Sequence, residues 1–327
     1  MIFHILLVLA SGFLLFKSAD LLVSGVTKVA RYLGWKEFVI AFFFMAIASS
    51  IPNLFVGISS VLHGIPELSF GDVVGNSVVD LTLVAALAGL IGGQISSGGR
   101  LIQTSVLFAI GVAFLPLLLI LDGTLERGDG VVLILVFLLY SAWLLARRKE
   151  FTQVYNHGGQ VPEPVRHFRT FFVSLGAIAL SAAMLLLSAE GIVRSATFFA
   201  GALGIPISMI GILGVGLGSA LPELYFAVAA ARRGNSKIIL GQLLGSVIVL
   251  ATLVIGIVAL LHPIEIQDFS PFSIGRFFLV ISAFFFLLFT RTDRKITRKE
   301  AGFLLFLYLA FVVTEIASKA IMGGAFR

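Results

Sequence analysis

Ten runs of apolar residues long enough to cross a bilayer follow one another along this chain, separated by short polar turns and one long polar segment. A helix needs about 20 apolar residues to span the hydrocarbon core, and it satisfies its backbone hydrogen bonds within the run itself. The runs lie near residues 2–30, 36–62, 68–92, 101–121, 129–147, 169–197, 205–231, 237–261, 271–290 and 300–323. Hydrophobic residues make up 59% of the 327, charged residues only 12%, and the mean hydropathy is +1.08. A soluble core of this length has no room for so much apolar surface, so an all-α membrane protein of ten transmembrane helices is expected. The run over 2–16 lacks a preceding basic stretch and continues into more helix, which marks it as a first span rather than a cleaved signal. There are no cysteines, which excludes disulfides, thiolate metal sites and cysteine nucleophiles. The net charge of +6 is no nucleic-acid footprint, because the basic residues fall in short loops between apolar runs.

The segment "ARRKEFTQVYNHGGQVPEPVRHFRT" (146–170) divides the runs into two groups of five. The expected organisation is a first five-helix unit over 1–147, a linker over 148–168 and a second five-helix unit over 169–327. Loop charge orients the chain. With the N-terminus outside, 17 Lys and Arg fall in inner loops, among them Arg100, Arg147, Arg148, Lys149, Arg166, Arg169, Arg232, Arg233, Arg291 and Arg294, against five outside. This bias predicts both termini outside and a cytoplasmic linker, in the cell membrane.

Residues 18–84 align without a gap on 188–254, at a constant offset of 170, with 18 of 67 pairs identical. Shared apolar composition alone gives roughly one match in ten. The identical pairs include Gly34/Gly204, Pro52/Pro222, Gly71/Gly241, Gly75/Gly245 and the triplets Thr82-Leu83-Val84 and Thr252-Leu253-Val254. Five helices is an odd number, so the second copy enters from the opposite side. That is an inverted repeat, a plan that places a transporter's substrate site between the repeats near the midplane.

Each copy carries a polar patch around its proline: "ASSIPNLF" (48–55) and "GSALPELY" (218–225). Proline has no N–H to give to the carbonyl four residues earlier, so Pro52 frees that of Ala48 and Pro222 that of Gly218. Ser49 and Asn53 share a helix face, as do Ser219 and Glu223. The following helix adds Asp72, Asn76 and Asp80 at spacings of four, matched in the second copy by Gln242, Ser246 and Leu250. Hydroxyl, carboxylate, amide and freed carbonyl oxygens form a hard donor set suited to Na⁺ or Ca²⁺. Simple structural roles also fit several of these residues. A proline kink is often only structural, and Ser50 and Ser59 are expected to bond back to their own helix. Lys17, Asp20 and Glu190 are expected in interfacial or packing contacts, and Asp72 closer to a helix end. The five histidines show no metal-ligand spacing. Glu223 and Asp80 stand apart, because an ionised group mid-span costs ~2.5–3.5 kcal/mol or more and so marks function by default.

The segments "ASSIPN", "GDVVGNSVVD", "GSALPE" and "GQLLGSVIVL", in that order and spacing, resemble the two inverted alpha repeats of the cation/Ca²⁺ exchanger superfamily, which includes the sodium/calcium exchangers. The resemblance covers nearly the whole chain. It implies a secondary antiporter, not an enzyme, with Glu223 and Asp80 as principal cation ligands, helped by Asn53, Ser49, Ser219, Asn76 and Ser246. It departs from the family pattern in places. Asn53 stands where a glutamate usually follows the proline, Leu250 where Asn or Asp is usual, and Asp72 and Gln242 replace asparagines. The carboxylate absent at Asn53 is thereby expected to be supplied by Asp80. Two carboxylates balance one Ca²⁺, while Leu250 leaves fewer oxygens for several Na⁺ at once.

The expected function is therefore Ca²⁺ exchange against Na⁺ or H⁺ by alternating access. The ions are substrates and no cofactor is implied; the other partner is membrane lipid. Monovalent cation/proton exchange, exchange of another divalent ion, and a non-transporting sensor or scaffold remain alternatives. An intramembrane aspartyl protease does not fit, since Asp72 and Asp80 share one helix and the spans of the second half hold no aspartate to face them.

Overall fold

A computed structural model describes residues 1–32, 45–147, 168–266 and 269–324. The first half runs α1 (Ile2–Tyr32), α2 (Met45–Leu62), α3 (Glu67–Val79, continuing through a π-helical turn at Asp80–Val84 into Ala85–Gly92), α4 (Arg100–Leu119) and α5 (Arg127–Ala146). The second half runs α6 (Phe168–Leu203), α7, α8 (Ser236–Val249, through a π-helical turn at Leu250–Val254 into Ile255–Leu261), α9 (Ser270–Arg291) and α10 (Arg298–Gly324). Helix α7 is built from Ile207–Met209, a π-helical stretch Ile210–Val215, a turn Gly216–Ser219 and, after a break at Ala220, Leu221–Arg232. Among the described residues nine of these are long and apolar enough to cross a membrane. The tenth, α2, is described only from Met45, and the start of its expected run lies outside the described residues. So does the linker over 148–168, apart from Phe168, which opens α6.

The chain is an all-α membrane protein built from two inverted five-helix repeats, and the packing repeats at the sequence offset of 170. Helices α3 and α8, a repeat pair, form the buried centre: 78% and 83% of their apolar windows are buried, against 22% for each of the outer pair α1 and α6. Around α3 pack α7, α9 and α10; around α8 pack their counterparts α2, α4 and α5. The outer pair α1 and α6 lie against each other. Two short antiparallel ladders pin the ends. Strand β1 (Gln94–Ser96) pairs with β4 (Lys295–Thr297), and β2 (Thr124–Leu125) with β3 (Ile264–Glu265). Adding 170 carries Gln94 to Ile264 and Leu125 to Lys295, so the repeat exchanges one ladder for the other. They bridge loops at opposite ends of the bundle, as an inverted relation demands.

Glycine sets the distance between α3 and α7. A Cβ at Gly75 would lie 2.0 Å from the Ile212 carbonyl oxygen, and one at Gly71 2.5 Å from that of Ser208. From the other side, a Cβ on Gly216 would meet the Asn76 nitrogen at 2.8 Å. Small residues let two membrane helices approach until their backbones touch. That closeness puts the polar face of α3 directly against the serine and glutamate of α7.

Candidate functional site

Four polar side chains from three helices form one hydrogen-bonded chain. Asp72, in the second turn of α3, is fully buried, and its Oδ2 accepts Asn53 Nδ2 of α2 at 3.1 Å. Its Oδ1 accepts the Ser219 hydroxyl of α7 at 2.7 Å, and that hydroxyl accepts Asn76 Nδ2 of α3 at 3.0 Å. The single Ser219 proton belongs with the carboxylate, the Gly216 carbonyl at 3.3 Å being the poorer acceptor. Each amide thus spends an N–H on the network and is left with its oxygen, Asn53 Oδ1 or Asn76 Oδ1, buried and without a hydrogen-bond partner.

Two further carboxylates have neither oxygen hydrogen-bonded. Asp80 opens the π-helical turn of α3, where its N–H points back to the carbonyls of Asn76 and Ser77. The extra residue in that turn shifts the helical register at the position that carries the carboxylate, and such π-bulges are frequent at functional sites. Glu223, in the first turn of the α7 segment after the break, is as fully buried as Asp80. It interacts electrostatically with Asp80 and with Asp72, and lies beside the hydroxyl of Ser49. Ser246 of α8 faces Asp80, although no hydrogen bond of ordinary geometry joins them. Counting Asn53 Oδ1, Asn76 Oδ1, both oxygens of Asp80 and of Glu223, and Ser246 Oγ, seven buried oxygens lack a hydrogen-bond partner. The Oε1 of Gln242 is another in the same condition. Buried polar atoms are nearly always partnered, and hard oxygens gathered in such number are of the kind that a dehydrated cation favours. Among the described residues no three Asp, Glu or His side chains are arranged as a metal cluster. A cation held here would therefore draw on amide and hydroxyl oxygens as well as carboxylates.

The structure brings together Glu223, Asp80, Asn53, Ser49, Ser219, Asn76, Ser246 and Asp72 from α2, α3, α7 and α8. Ala48 lies in α2 one turn before Pro52, which sits inside a continuous helix. Gly218 instead precedes a true break, because Pro222 stands in the first turn of a new segment, where a missing N–H costs nothing. Asp72 does stand near the start of its helix, as expected, yet it is the hub of the hydrogen-bonded chain. The expectation for Ser59 fails: its hydroxyl donates to Glu190 Oε2 of α6 at 3.2 Å instead of to its own helix. A carboxylate within reach on the neighbouring helix is the stronger acceptor. Glu190 also pairs with Arg194, at 2.5 Å, and with His63, at 3.3 Å, a packing cluster as expected.

A cavity of about 570 Å³ opens at one end of the bundle, lined by Glu67, Ser208 and Glu265 among others. Its wall meets the site's frame directly, since Ser208 is the residue whose carbonyl crowds Gly71, next to Asp72. The interruption at Ala220 falls where Pro222 predicts one, whereas the π-helical turns and the two ladders are not expected from the sequence. The repeated Thr-Leu-Val triplet was the available signal for the turns, for Thr82 and Thr252 each return a hydroxyl bond to the carbonyl four residues back, Val78 and Ile248.

A family model described as sodium/calcium exchanger protein matches residues 3–146 and 173–317. The chain is 27% identical to the sodium/calcium exchanger MaX1 of Methanosarcina acetivorans over 95% of this chain and 97% of that one. It is 26% identical to the inner membrane protein YrbG of Escherichia coli, over 83% of this chain and 84% of that one. Its fold matches the crystallised sodium–calcium exchanger NCX_Mj, soaked with Na⁺ and Sr²⁺, with a TM-score of 0.64 and 25% identity over 96% of this chain and 98% of that one.

Proposed function

The chain belongs to the sodium/calcium exchanger protein family, a family of membrane cation transporters and not of enzymes, and from that premise we propose that it is a secondary active antiporter exchanging Ca²⁺ for Na⁺ or H⁺. The observation that carries this reading is the set of seven buried, unpartnered oxygens contributed by both repeats. Stripping water from a cation is compensated only by ligands ready to replace it, and the Asp72 network uses an N–H of each of two amides while leaving their oxygens unbonded. Asp80 and Glu223 together balance one Ca²⁺, and their neighbours supply the neutral oxygens that Ca²⁺ favours.

The pathway follows from the inverted repeat. The 570 Å³ cavity carries Glu67 and Glu265, whose charge attracts cations into its mouth. Alternating access opens the repeat-related route at the other end while this one closes, with the site staying between them. In this reading residues 1–147 and 169–327 are the two moving repeats, 148–168 is their cytoplasmic linker, and both termini face outward from the cell membrane. Leu250 favours a second reading on the same fold. Where its repeat partner offers the Asp80 carboxylate, it offers no oxygen, which suits exchange with a proton or fewer Na⁺ in place of several.

The test is uptake of radiolabelled Ca²⁺ into proteoliposomes driven by an outward Na⁺ gradient or by a proton gradient, with other mono- and divalent cations as competitors. Uptake that collapses with one of the two gradients identifies the driving ion. No uptake of any cation under either gradient sinks the proposal and leaves a non-transporting homologue.

A further inference from the structure

A second pocket, of about 460 Å³, lies between the start of α4 and the end of α9, lined by Gly99, Arg100, Gln103, Thr104, Leu107, Arg291 and Arg294. It contains three guanidinium groups and no carboxylate. Among the described residues none of Arg100, Arg291 and Arg294 is paired with an acid. Three like charges gathered around one concavity repel one another, and such an arrangement calls for an anion.

The walls are fixed. Gln103 donates its amide to the carbonyls of Ser97 and Thr290, both at 2.8 Å, and Ser97 donates its hydroxyl to Thr290 at 2.6 Å. These bonds tie the first turn of α4 to the last turn of α9, so Arg100 and Arg291 are carried on ends that cannot drift apart. Arg294 is held differently. It and Asp293 have left-handed backbone angles, φ 52° each, and the Ser97 N–H bonds to the Arg294 carbonyl at 2.8 Å. Non-glycine residues adopt that conformation only rarely, and Arg294 lines the pocket from this tight turn. The far wall carries Leu107, which is 46% exposed on a spanning helix. The pocket therefore stands where spanning helices give way to polar loop, with charge on one side and an apolar, lipid-level surface on the other.

We propose that this pocket binds a phosphate-bearing anion, taken either from the headgroup of an anionic phospholipid in the adjoining leaflet or free in solution. Guanidinium groups match phosphate oxygens two at a time, and the exposed Leu107 offers a surface along which an acyl chain can lie. Basic pockets between spanning helices are a known form of headgroup recognition, and the pocket is separate from the oxygens of the candidate cation site.

The experiment measures thermal stability and retained ligand for the full chain purified in neutral detergent. One arm adds inorganic phosphate; the other adds phosphatidylglycerol in mixed micelles, with phosphatidylcholine as control, followed by native mass spectrometry for bound lipid. A headgroup site gives stabilisation and one retained phosphatidylglycerol with little effect of phosphate, whereas a soluble-anion site gives the reverse. In either case apparent affinity falls about fivefold for each of Arg100→Gln, Arg291→Gln and Arg294→Gln, and on the order of a hundredfold for all three together. The pair Arg232→Gln and Arg233→Gln removes charge outside the pocket and leaves affinity intact. The single variants decide the matter should the triple variant fail to fold. Neither anion binding, or equal losses from the pocket and control variants, overturns the proposal.

Discussion

The two half-sites share a frame and differ in chemistry. Ser49 and Ser219, Pro52 and Pro222, Gly75 and Gly245, and the π-helical turns at Asp80–Val84 and Leu250–Val254 recur at one offset. The ligand positions do not. The first half has an amide on its proline helix and an acid on the next, Asn53 and Asp72; the second has them reversed, Glu223 and Gln242. Further along, Asp80 has only Leu250 opposite it. Geometry that lets two copies close over one site tolerates little change, because a Cβ at Gly75 runs into backbone. Charges can move between neighbours so long as the cavity still offers enough negative oxygen.

The largest effect is expected where the halves each contribute an unpartnered carboxylate. If both balance the ion's charge, Glu223→Gln and Asp80→Asn abolish transport alike. Losing one charge about 4 Å from a cation costs around 4 kcal/mol at a protein-like dielectric, on the order of a thousandfold in affinity. Cation binding and flux in proteoliposomes, with folding checked by size exclusion, measure it. A variant at Asp80 that transports like the wild type breaks the comparison, for the site would then depend on the second half alone.

A middle-sized effect sharpens the reversal of acid and amide. Asp72 accepts from Asn53 and Ser219, so Asp72→Asn removes charge-assisted bonds worth about 1.5–3 kcal/mol each and frees the two amides to turn their N–H groups toward the ion. A ten- to hundredfold loss of affinity follows. Asn53→Asp sets a second carboxylate against Asp72 and is expected to be at least as harmful. Combining the two restores one acid and one amide in the order of the second half, and affinity returns to within about tenfold of wild type if it is the bonded pair that matters. A double variant no better than either single one shows that the Asp72 position itself is required.

How much of this the sequence revealed depends on the range of the interaction. Span number and the inverted repeat were legible because length, hydropathy and a fixed offset are properties of the chain alone. Glu223 and Asp80 were legible because a carboxylate among apolar residues is conspicuous wherever it points. The part of Asp72 was not: its bonds reach Asn53, 19 residues away, and Ser219, 147 away, so nothing near it in sequence distinguishes a hub from a carboxylate at a helix end. Ser59 was misjudged for the same reason, its acceptor lying 131 residues off on α6. The π-helical turns escaped because an inserted residue leaves the apolar pattern of a fully buried helix unchanged, every face being apolar already.

The smallest expected effect concerns Leu250, the one ligand-row position of the second half with no oxygen to offer. It is completely buried and opens the π-helical turn of α8, the place that Asp80 occupies in α3. Leu250→Asn adds one neutral oxygen there without changing the charge. If the site is one-sided because of this leucine, the added ligand serves the more weakly held monovalent ion. Na⁺ should then compete with Ca²⁺ about fivefold more strongly, the worth of roughly one hydrogen-bond-scale contact. The ion-free protein pays for it, since an amide replaces apolar packing, and its thermal stability falls by about 1–3 kcal/mol. Saturating Na⁺ restores part of that loss, because only the bound ion gives the amide oxygen a partner. Competition curves and melting in the presence and absence of Na⁺ separate the two contributions. Lower stability with unchanged Na⁺ competition would mean that position 250 does not reach the ion, and that the asymmetry between the half-sites ends at Gln242 and Ser246.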